Sequence, residues 1–110
     1  VGDLEAALRY YVEVLGFTEK FRFGDYAGVG FGEVQLHLCA RSENGRVVGA
    51  GGVYLFCDAV DAYFVDLEAR GALIGSRPRD YASYGMRDFW VKDPDGNQLS
   101  FGCTVCPQAA

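Results

Sequence analysis

The only histidine of the chain stands in its clearest alternating segment. In residues 34–39, VQLHLC, apolar and polar side chains alternate, which predicts a β-strand with Gln35, His37 and Cys39 on one face. A neutral imidazole suits several roles there: a general base, a metal ligand or a contact to a bound small molecule. The pattern also fits a core histidine whose ring is hydrogen-bonded and which binds no ligand.

The four cysteines are the other residues with reactive side chains. Cys39 and Cys57 fall within apolar, strand-like segments, where a thiol packs as a small hydrophobic group. Cys103 and Cys106 form a C-x-x-C pair, but no helix N-terminus follows to lower a thiol pKa, as redox motifs require. One such pair also supplies too few ligands for a zinc site. We therefore predict structural thiols rather than disulfides.

Composition and charge exclude several classes of protein. The chain has 110 residues, half of them hydrophobic, and is expected to form one folded domain. Its formal net charge of −5 argues against nucleic acid as a partner, because phosphate backbones repel a negative surface. No apolar run approaches the roughly 20 residues of a membrane span, and no signal peptide is visible. We expect a cytoplasmic protein without a membrane partner.

The predicted elements repeat once along the chain. The first module, residues 1–41, contains a helix that follows Asp3 and then three strands; these are expected at 4–15, 17–23, 26–31 and 34–39. A polar, glycine-rich linker covers 42–51. The second module, residues 52–106, begins with a strand and continues with a helix capped by Asp58 or Asp61. Three later strands are expected at 72–77, 86–92 and 98–104, and a loop is expected at 78–83.

The two modules align with a repeat of about 56 residues, and this alignment exposes a difference between them. The second module opens with a strand, whereas the first has no strand before its helix. Either the sequence begins after that strand, or a partner supplies it.

Two motifs together carry a resemblance to a known family. The turn DPDGN at 93–97, followed by a strand, and the helical segment GDLEAALRYYVEVLGF at 2–17 resemble the vicinal-oxygen-chelate superfamily. That superfamily includes glyoxalase I, extradiol dioxygenases, fosfomycin-resistance enzymes and bleomycin-resistance proteins. The segments most similar to the bleomycin-resistance branch are DYAGV (25–29), VQLHLCA (34–40) and YGMRDFWVKDPDGN (84–97).

The resemblance implies both an architecture and a mode of action. The fold would be α+β, with paired βαβββ modules that form a curled mixed sheet, a helix on each convex side, and the first strand missing or truncated. Members of the bleomycin-resistance branch bind their drug in grooves of a homodimer and perform no chemistry on it.

The superfamily's metalloenzymes place ligands at four concave positions, and the resemblance assigns three of them here. These are Gly52, His37 and Ser100, while the fourth falls on the missing strand. Glycine has no donor atom in its side chain, and a neutral serine hydroxyl is a poor ligand for a divalent ion. We therefore predict no metal, no other cofactor and no catalytic residue.

Alternation along the strands predicts the other residues of the concave face. Lys92 cannot face a helix-covered core without a partner, so Asp88 and Trp90 share its face, away from Phe89 and Val91. Aromatic walls with a few polar groups suit a flat, extended ligand. The predicted ligand-binding residues are His37, Cys39, Tyr54, Phe56, Asp88, Trp90 and Ser100. Alternatively, Tyr54 and Trp90 are core or interface residues, and Asp88 is a solvated strand residue.

The function predicted from these features is metal-independent binding and sequestration of a small molecule by a homodimer. The ligand would be a bleomycin-like drug or another planar, partly cationic compound. The alternative is a glyoxalase-like lyase or isomerase, or a dioxygenase, that uses His37 with a divalent metal such as zinc, nickel, manganese or iron. A third hypothesis is a non-catalytic interaction domain.

Overall fold

The computed structural model describes residues 1–40 and 48–105. Helix α1 spans Leu4–Arg9 and continues as a π-helical turn over Tyr10–Val14, and helix α2 spans Val60–Ala69. The first three strands are β1 (Thr18–Phe23), β2 (Tyr26–Phe31) and β3 (Val34–Cys39). The remaining strands are β4 (Gly52–Phe56), β5 (Leu73–Ile74), β6 (Arg79–Tyr81), β7 (Met86–Lys92) and β8 (Gln98–Thr104).

The strands form two sheets, one from each predicted module. The first sheet is antiparallel with the order β1-β2-β3. The second has the order β4-β8-β7-β5, with β6 also paired to β7, and β4 lies parallel to β8. This arrangement confirms the predicted α+β fold class. Residues 41–47, which include most of the predicted linker, and Cys106 lie outside the described residues.

The helix expected at 4–15 is confirmed over Leu4–Val14, but its hydrogen bonding changes after Arg9, where the Leu15 N–H donates to the carbonyl of Tyr10, five residues earlier. One predicted strand boundary is wrong. The strand expected at 72–77 is reduced to Leu73–Ile74, because the N–H groups of Gly75 and Ser76 both donate to the carbonyl of Trp90 and interrupt the pairing.

Two further local predictions fail in the second module. The loop expected at 78–83 contains β6, which pairs with β7. The N-cap of α2 is Ala59, without a side-chain hydrogen bond, rather than Asp58 or Asp61. Asp61 lies in the first turn of the helix and instead accepts two hydrogen bonds from the guanidinium of Arg87, at 2.8 and 2.9 Å.

Both sheets bury one face in a single shared core. Phe89, Val91 and Phe101 are fully buried on the helix-covered side of the second sheet. The ring of Phe101 lies 5.4 Å from that of Phe31, on the first sheet, and 6.5 Å from that of Phe17. Each such buried aromatic contributes about 1.5–3 kcal/mol to folding. The opposite face of each sheet therefore lies outside the shared core.

The DPDGN turn links the two modules through a buried carboxylate. Asp93 Oδ1 accepts the N–H groups of Asp95 and Asn97, each at 2.9 Å. Its Oδ2 accepts the side-chain amide of Asn97 at 2.8 Å and the hydroxyl of Tyr11, on the first module, at 2.9 Å. A buried carboxylate is stable only with such partners. The role of this motif is therefore structural.

Candidate ligand-binding site

Five predicted site residues lie together on the outer face of the second sheet. The strand register places Tyr54 opposite Ser100, which in turn lies opposite Trp90. Phe56 lies opposite Gly102, which lies opposite Asp88. Because side chains alternate along a strand, all of these point away from Phe89 and Val91. The structure thus brings together Tyr54, Phe56, Asp88, Trp90 and Ser100.

Asp88 forms the floor of this surface. It is only 6% exposed, and its Oδ2 accepts hydrogen bonds from the hydroxyls of Tyr54 and Tyr84, both at 2.8 Å. No residue in the described part of the chain donates to Oδ1, and none forms a salt bridge with Asp88. A largely buried carboxylate with one oxygen that accepts no hydrogen bond from the described residues is a candidate anchor for a ligand.

Three exposed rings share the outer face of the sheet with this carboxylate. Tyr54, Phe56 and Tyr84 are 41%, 78% and 53% exposed, and the rings of Tyr54 and Phe56 meet edge to face at 5.9 Å. Tyr84 also stacks on Tyr81 at 5.4 Å. We call the group Tyr54, Phe56, Tyr84 and Asp88 the tyrosine–aspartate cup.

The two tyrosines of the cup are hydrogen-bond donors over the whole physiological pH range. Desolvation and the hydrogen bond to Asp88 raise the pKa of Tyr84 to about 12. The same two causes raise the pKa of Tyr54 well above its usual value. Both phenols therefore keep their protons near pH 7.

A glycine on the neighbouring strand makes the cup possible. A Cβ atom at Gly102 would lie 2.0 Å from the hydroxyl oxygen of Tyr54 and 2.9 Å from the Cβ of Asp88. The missing side chain therefore lets the Tyr54 ring lie across β8 and reach Asp88. Neither Gly102 nor Tyr84 is among the ligand-binding residues predicted from the sequence. Tyr84 lies in a turn where no alternation marks the direction of its side chain.

Trp90 and Ser100 lie beside the cup. The half-buried Trp90 ring packs on Gly75, where an added Cβ would come within 2.1 Å of it, and the ammonium of Lys92 lies 5.8 Å from the ring centroid. The Ser100 hydroxyl is 3.5 Å from the side-chain amide of Gln98. Trp90 therefore forms a side wall on the β5 side of the surface.

His37 and Cys39 lie on the other sheet. The Nδ1 atom of His37 is 2.5 Å from the hydroxyl oxygen of Tyr26, and its ring lies edge to face with that of Phe21 at 5.2 Å. The ring centroid of Phe23, which is 76% exposed, lies 6.0 Å from that of Phe21. We call Phe21, Phe23, Tyr26 and His37 the histidine cluster. No ring contact among the described residues joins it to the tyrosine–aspartate cup.

Sequence reasoning missed the three aromatic members of the histidine cluster, although a signal was present. Phe21 and Phe23 are two residues apart, so they share one face of β1. On β2, Gly28 lies opposite Phe21, and a Cβ there would be 2.2 Å from its ring. Gly28, between Ala27 and Val29, therefore marks the place where the Phe21 ring lies across β2, while Gly30 lies under the side chain of Lys20.

A groove of about 530 Å³ separates β3 from β4 and does not include the cup. His37 and Cys39 line it, together with apolar and amide side chains and the backbone of 48–53. Among the described residues that line it there is no carboxylate, whereas the cup has a buried one beside exposed rings. We therefore place the candidate site at the cup.

The residues at the superfamily's metal positions do not fit a divalent ion. Gly52 has no side-chain donor, and Ser100 offers only a neutral hydroxyl. His37 lies on the other sheet, with Nδ1 engaged by Tyr26. In the part of the chain that the structure describes, no three His, Cys, Asp or Glu residues form a group that could hold a metal ion. Neither helix described there is long and apolar enough to cross a membrane.

Comparison with known proteins agrees with this architecture. The chain belongs to the Glyoxalase/Bleomycin resistance protein/Dioxygenase superfamily, whose family model matches residues 1–101. Among its relatives is the bleomycin resistance protein of Geobacillus stearothermophilus, which is 25% identical over 117 residues, covering 92% of this chain and 89% of the relative.

Solved structures show the same fold. A superfamily member from Sphaerobacter thermophilus is 31% identical with a TM-score of 0.79, covering 93% of this chain and 89% of that one. The lactoylglutathione lyase of Agrobacterium tumefaciens has a TM-score of 0.77 at 23% identity, over 93% of this chain and 86% of the lyase. The fold is thus shared with an enzyme, so the function has to be argued from the site.

Proposed function

We propose that this protein binds and sequesters a small molecule in the tyrosine–aspartate cup, without a metal and without chemical change to the ligand. The observation that carries this proposal is the buried Asp88 carboxylate, with one oxygen unoccupied, beneath three exposed aromatic rings. Exposed rings offer stacking area, and a fixed polar group at their centre orients the ligand.

The groups around the cup favour binding over catalysis. General acid–base catalysis is most effective when the pKa of the catalytic group lies near the working pH. The pKa values of Tyr54 and Tyr84 are shifted away from neutrality. His37, the only imidazole of the chain, lies on the other sheet. These features support a ligand that is held rather than transformed.

A homodimer is part of the proposal. The histidine cluster and the cup both lie outside the shared core, on a molecule whose longest extent is 53 Å. In a two-fold dimer, the histidine cluster of one protomer would cover the cup of its partner, and symmetry would repeat this contact. Two equivalent grooves with aromatic walls would result, and the highly exposed rings of Phe23 and Phe56 would be covered.

We also place the protein in the cytoplasm. Cys57 and Cys103 carry free thiols, which a reducing compartment preserves. There, sequestration would lower the free concentration of the ligand by mass action. Protection would require a concentration of protein comparable with that of the ligand.

The test is a calorimetric titration of chelator-treated protein with metal-free bleomycin, a probe chosen because curated relatives are bleomycin resistance proteins. We expect saturable binding at about one drug per protomer, with a Kd near micromolar or tighter. The triple variant Tyr54→Ala, Phe56→Ala, Trp90→Ala should lose this binding and remain folded by circular dichroism. Val65→Ala, which trims an exposed side chain on α2, serves as the control and should bind normally.

Two outcomes would count against the proposal. Unchanged affinity in the triple variant would show that the ligand binds elsewhere. No heat of binding with the wild-type protein would remove bleomycin as the ligand. The dimer is tested separately by sedimentation equilibrium, where the wild type should have the mass of two chains and Phe23→Ser should shift toward one.

A further inference from the structure

We infer that the tyrosine–aspartate cup selects organic cations, and that a protonated primary or secondary amine of the ligand donates a hydrogen bond to Asp88 Oδ1. This inference rests on the proposed binding function and deepens it, because it names the charge class of the ligand. It follows from the geometry of one carboxylate and the rings around it.

The hydrogen bonds of Asp88 are shared unequally between its two carboxylate oxygens. Tyr54 and Tyr84 donate to the same oxygen, Oδ2, although Asp88 has two. The other oxygen, Oδ1, accepts no hydrogen bond from the described residues, although more than nine-tenths of the Asp88 surface is buried. A largely buried carboxylate interacts most strongly with a cationic N–H donor, whose hydrogen bond is roughly twice as strong as a neutral one.

The cations that the chain itself provides nearby have other partners. Arg79 lies opposite Asp88 in the strand register, but its guanidinium is 5.7 Å from the ring centroid of Tyr81. Arg87, the residue before Asp88, forms hydrogen bonds with two other carboxylates at 2.8–3.0 Å. Lys92 lies over Trp90. Among the described residues, Asp88 therefore has no counter-ion of its own.

The rings of the cup strengthen the preference for positive charge. Tyr54, Phe56 and Tyr84 present exposed aromatic surface near the carboxylate, and a cation over the face of such a ring is attracted by its electron density. Both phenol hydroxyls already donate to Asp88, so they offer no proton to an anionic ligand. An anion would instead face the repulsion of a carboxylate in a poorly solvated place.

Two small ligands of nearly the same shape test whether a positive charge on the ligand increases its affinity. 2-Naphthylmethylamine is protonated at neutral pH, whereas 2-naphthylmethanol has the same ring system and nearly the same size without a charge. Their Kd values are measured by NMR titration at pH 7 on the full chain. We expect the wild-type protein to bind the amine at least about tenfold more tightly than the alcohol.

Two variants test whether the preference for the amine over the alcohol depends on the charge of Asp88. Asp88→Asn keeps the size of the side chain and an acceptor for the tyrosines but removes the charge, so the amine and the alcohol should then bind equally within about twofold. Glu13→Gln removes the same charge from the exposed surface of the first helical segment and should retain the full preference for the amine.

The outcomes distinguish this inference from the proposed function. Equal binding of the two probes by the wild type would overturn the inference and leave ligand binding intact. Binding of neither probe would also overturn it, while the bleomycin titration would decide on the proposed function separately. A preference that survives Asp88→Asn would remove Asp88 as its cause.

A second measurement covers the case in which Asp88→Asn does not fold. Titration of the wild type with the amine should shift the amide resonances of Tyr54, Asp88 and Gly102. Shifts confined to the histidine cluster or to the groove between β3 and β4 would overturn the assignment to the cup.

Discussion

Gly102 offers the sharpest test of how the cup is built. In Gly102→Ala, the new methyl group would stand 2.0 Å from the hydroxyl oxygen of Tyr54, so the Tyr54 ring must leave its position across β8. Its 2.8 Å hydrogen bond to Asp88 would then be lost. The new methyl would also lie 2.9 Å from the Cβ of Asp88, which requires a small movement of one strand.

The size of the effect follows from these contacts. A hydrogen bond to a charged group contributes about 1.5–3 kcal/mol, and the lower end applies because the displaced Tyr54 hydroxyl gains water. Relief of the contact with Asp88 Cβ costs roughly 1 kcal/mol, at the low end for overpacked sites. We therefore expect Gly102→Ala to lower the free energy of unfolding by about 2–3 kcal/mol.

A double-mutant cycle measured by urea denaturation tests this account. When Tyr54→Ala has already removed the ring, Gly102→Ala meets only Asp88 and should cost about 1 kcal/mol, which leaves a coupling energy of about 1–2 kcal/mol. In the wild-type background the urea midpoint should fall by roughly 1–2 M. Gly52→Ala is the matched control on the same face: its Cβ would have a contact at 3.8 Å, and its stability should be unchanged or slightly higher.

Two results would refute the reasoning. The first is a Gly102→Ala protein as stable as the wild type, which would show that Tyr54 does not lie across β8. The second is additivity of the two substitutions within about 0.3 kcal/mol, which would show that they act independently.

Two further predictions concern hydroxyl groups that donate to carboxylates. Tyr11→Phe should lower the free energy of unfolding by about 1.5–3 kcal/mol in thermal or urea denaturation, because it removes a donor at 2.9 Å from the buried Asp93; a loss below about 0.5 kcal/mol would contradict this. In a spectrophotometric pH titration, the difference between wild type and Tyr84→Phe should show a phenol that ionises near pH 12. Since folding raises this pKa above its usual value of about 10, the contribution of Tyr84 to stability should be complete below pH 10 and lost as the pH rises through 12. Ionisation of Tyr84 near pH 10 would show that its hydrogen bond to Asp88 is absent in solution.

The sequence determined which side chains share a face of each strand. Alternation is a local property with a period of two, so the outward directions of Tyr54, Phe56, Asp88 and Trp90 followed from their spacing. The same pattern assigned Phe89 to the core, where the structure has it fully buried. The DPDGN motif and the first helix were sufficient to indicate the superfamily.

The local predictions that failed depended on contacts outside their own segments. The strand expected at 72–77 was shortened because two consecutive N–H groups share the carbonyl of Trp90, on another strand. The predicted cap Asp61 is instead bound to Arg87, 26 residues away. No pattern within either segment carries this information.

The tertiary structure alone decided which outward-facing residues meet. Tyr54 and Asp88 are 34 residues apart, and they meet because β8 lies between β4 and β7 and has a glycine at the crossing point. His37 has the same local pattern as a cup residue, yet it lies on a different sheet with Phe21 and Tyr26. Alternation gives the face of a strand but not its neighbours, because strand order and register are set by pairing between distant segments and by the packing of a common core.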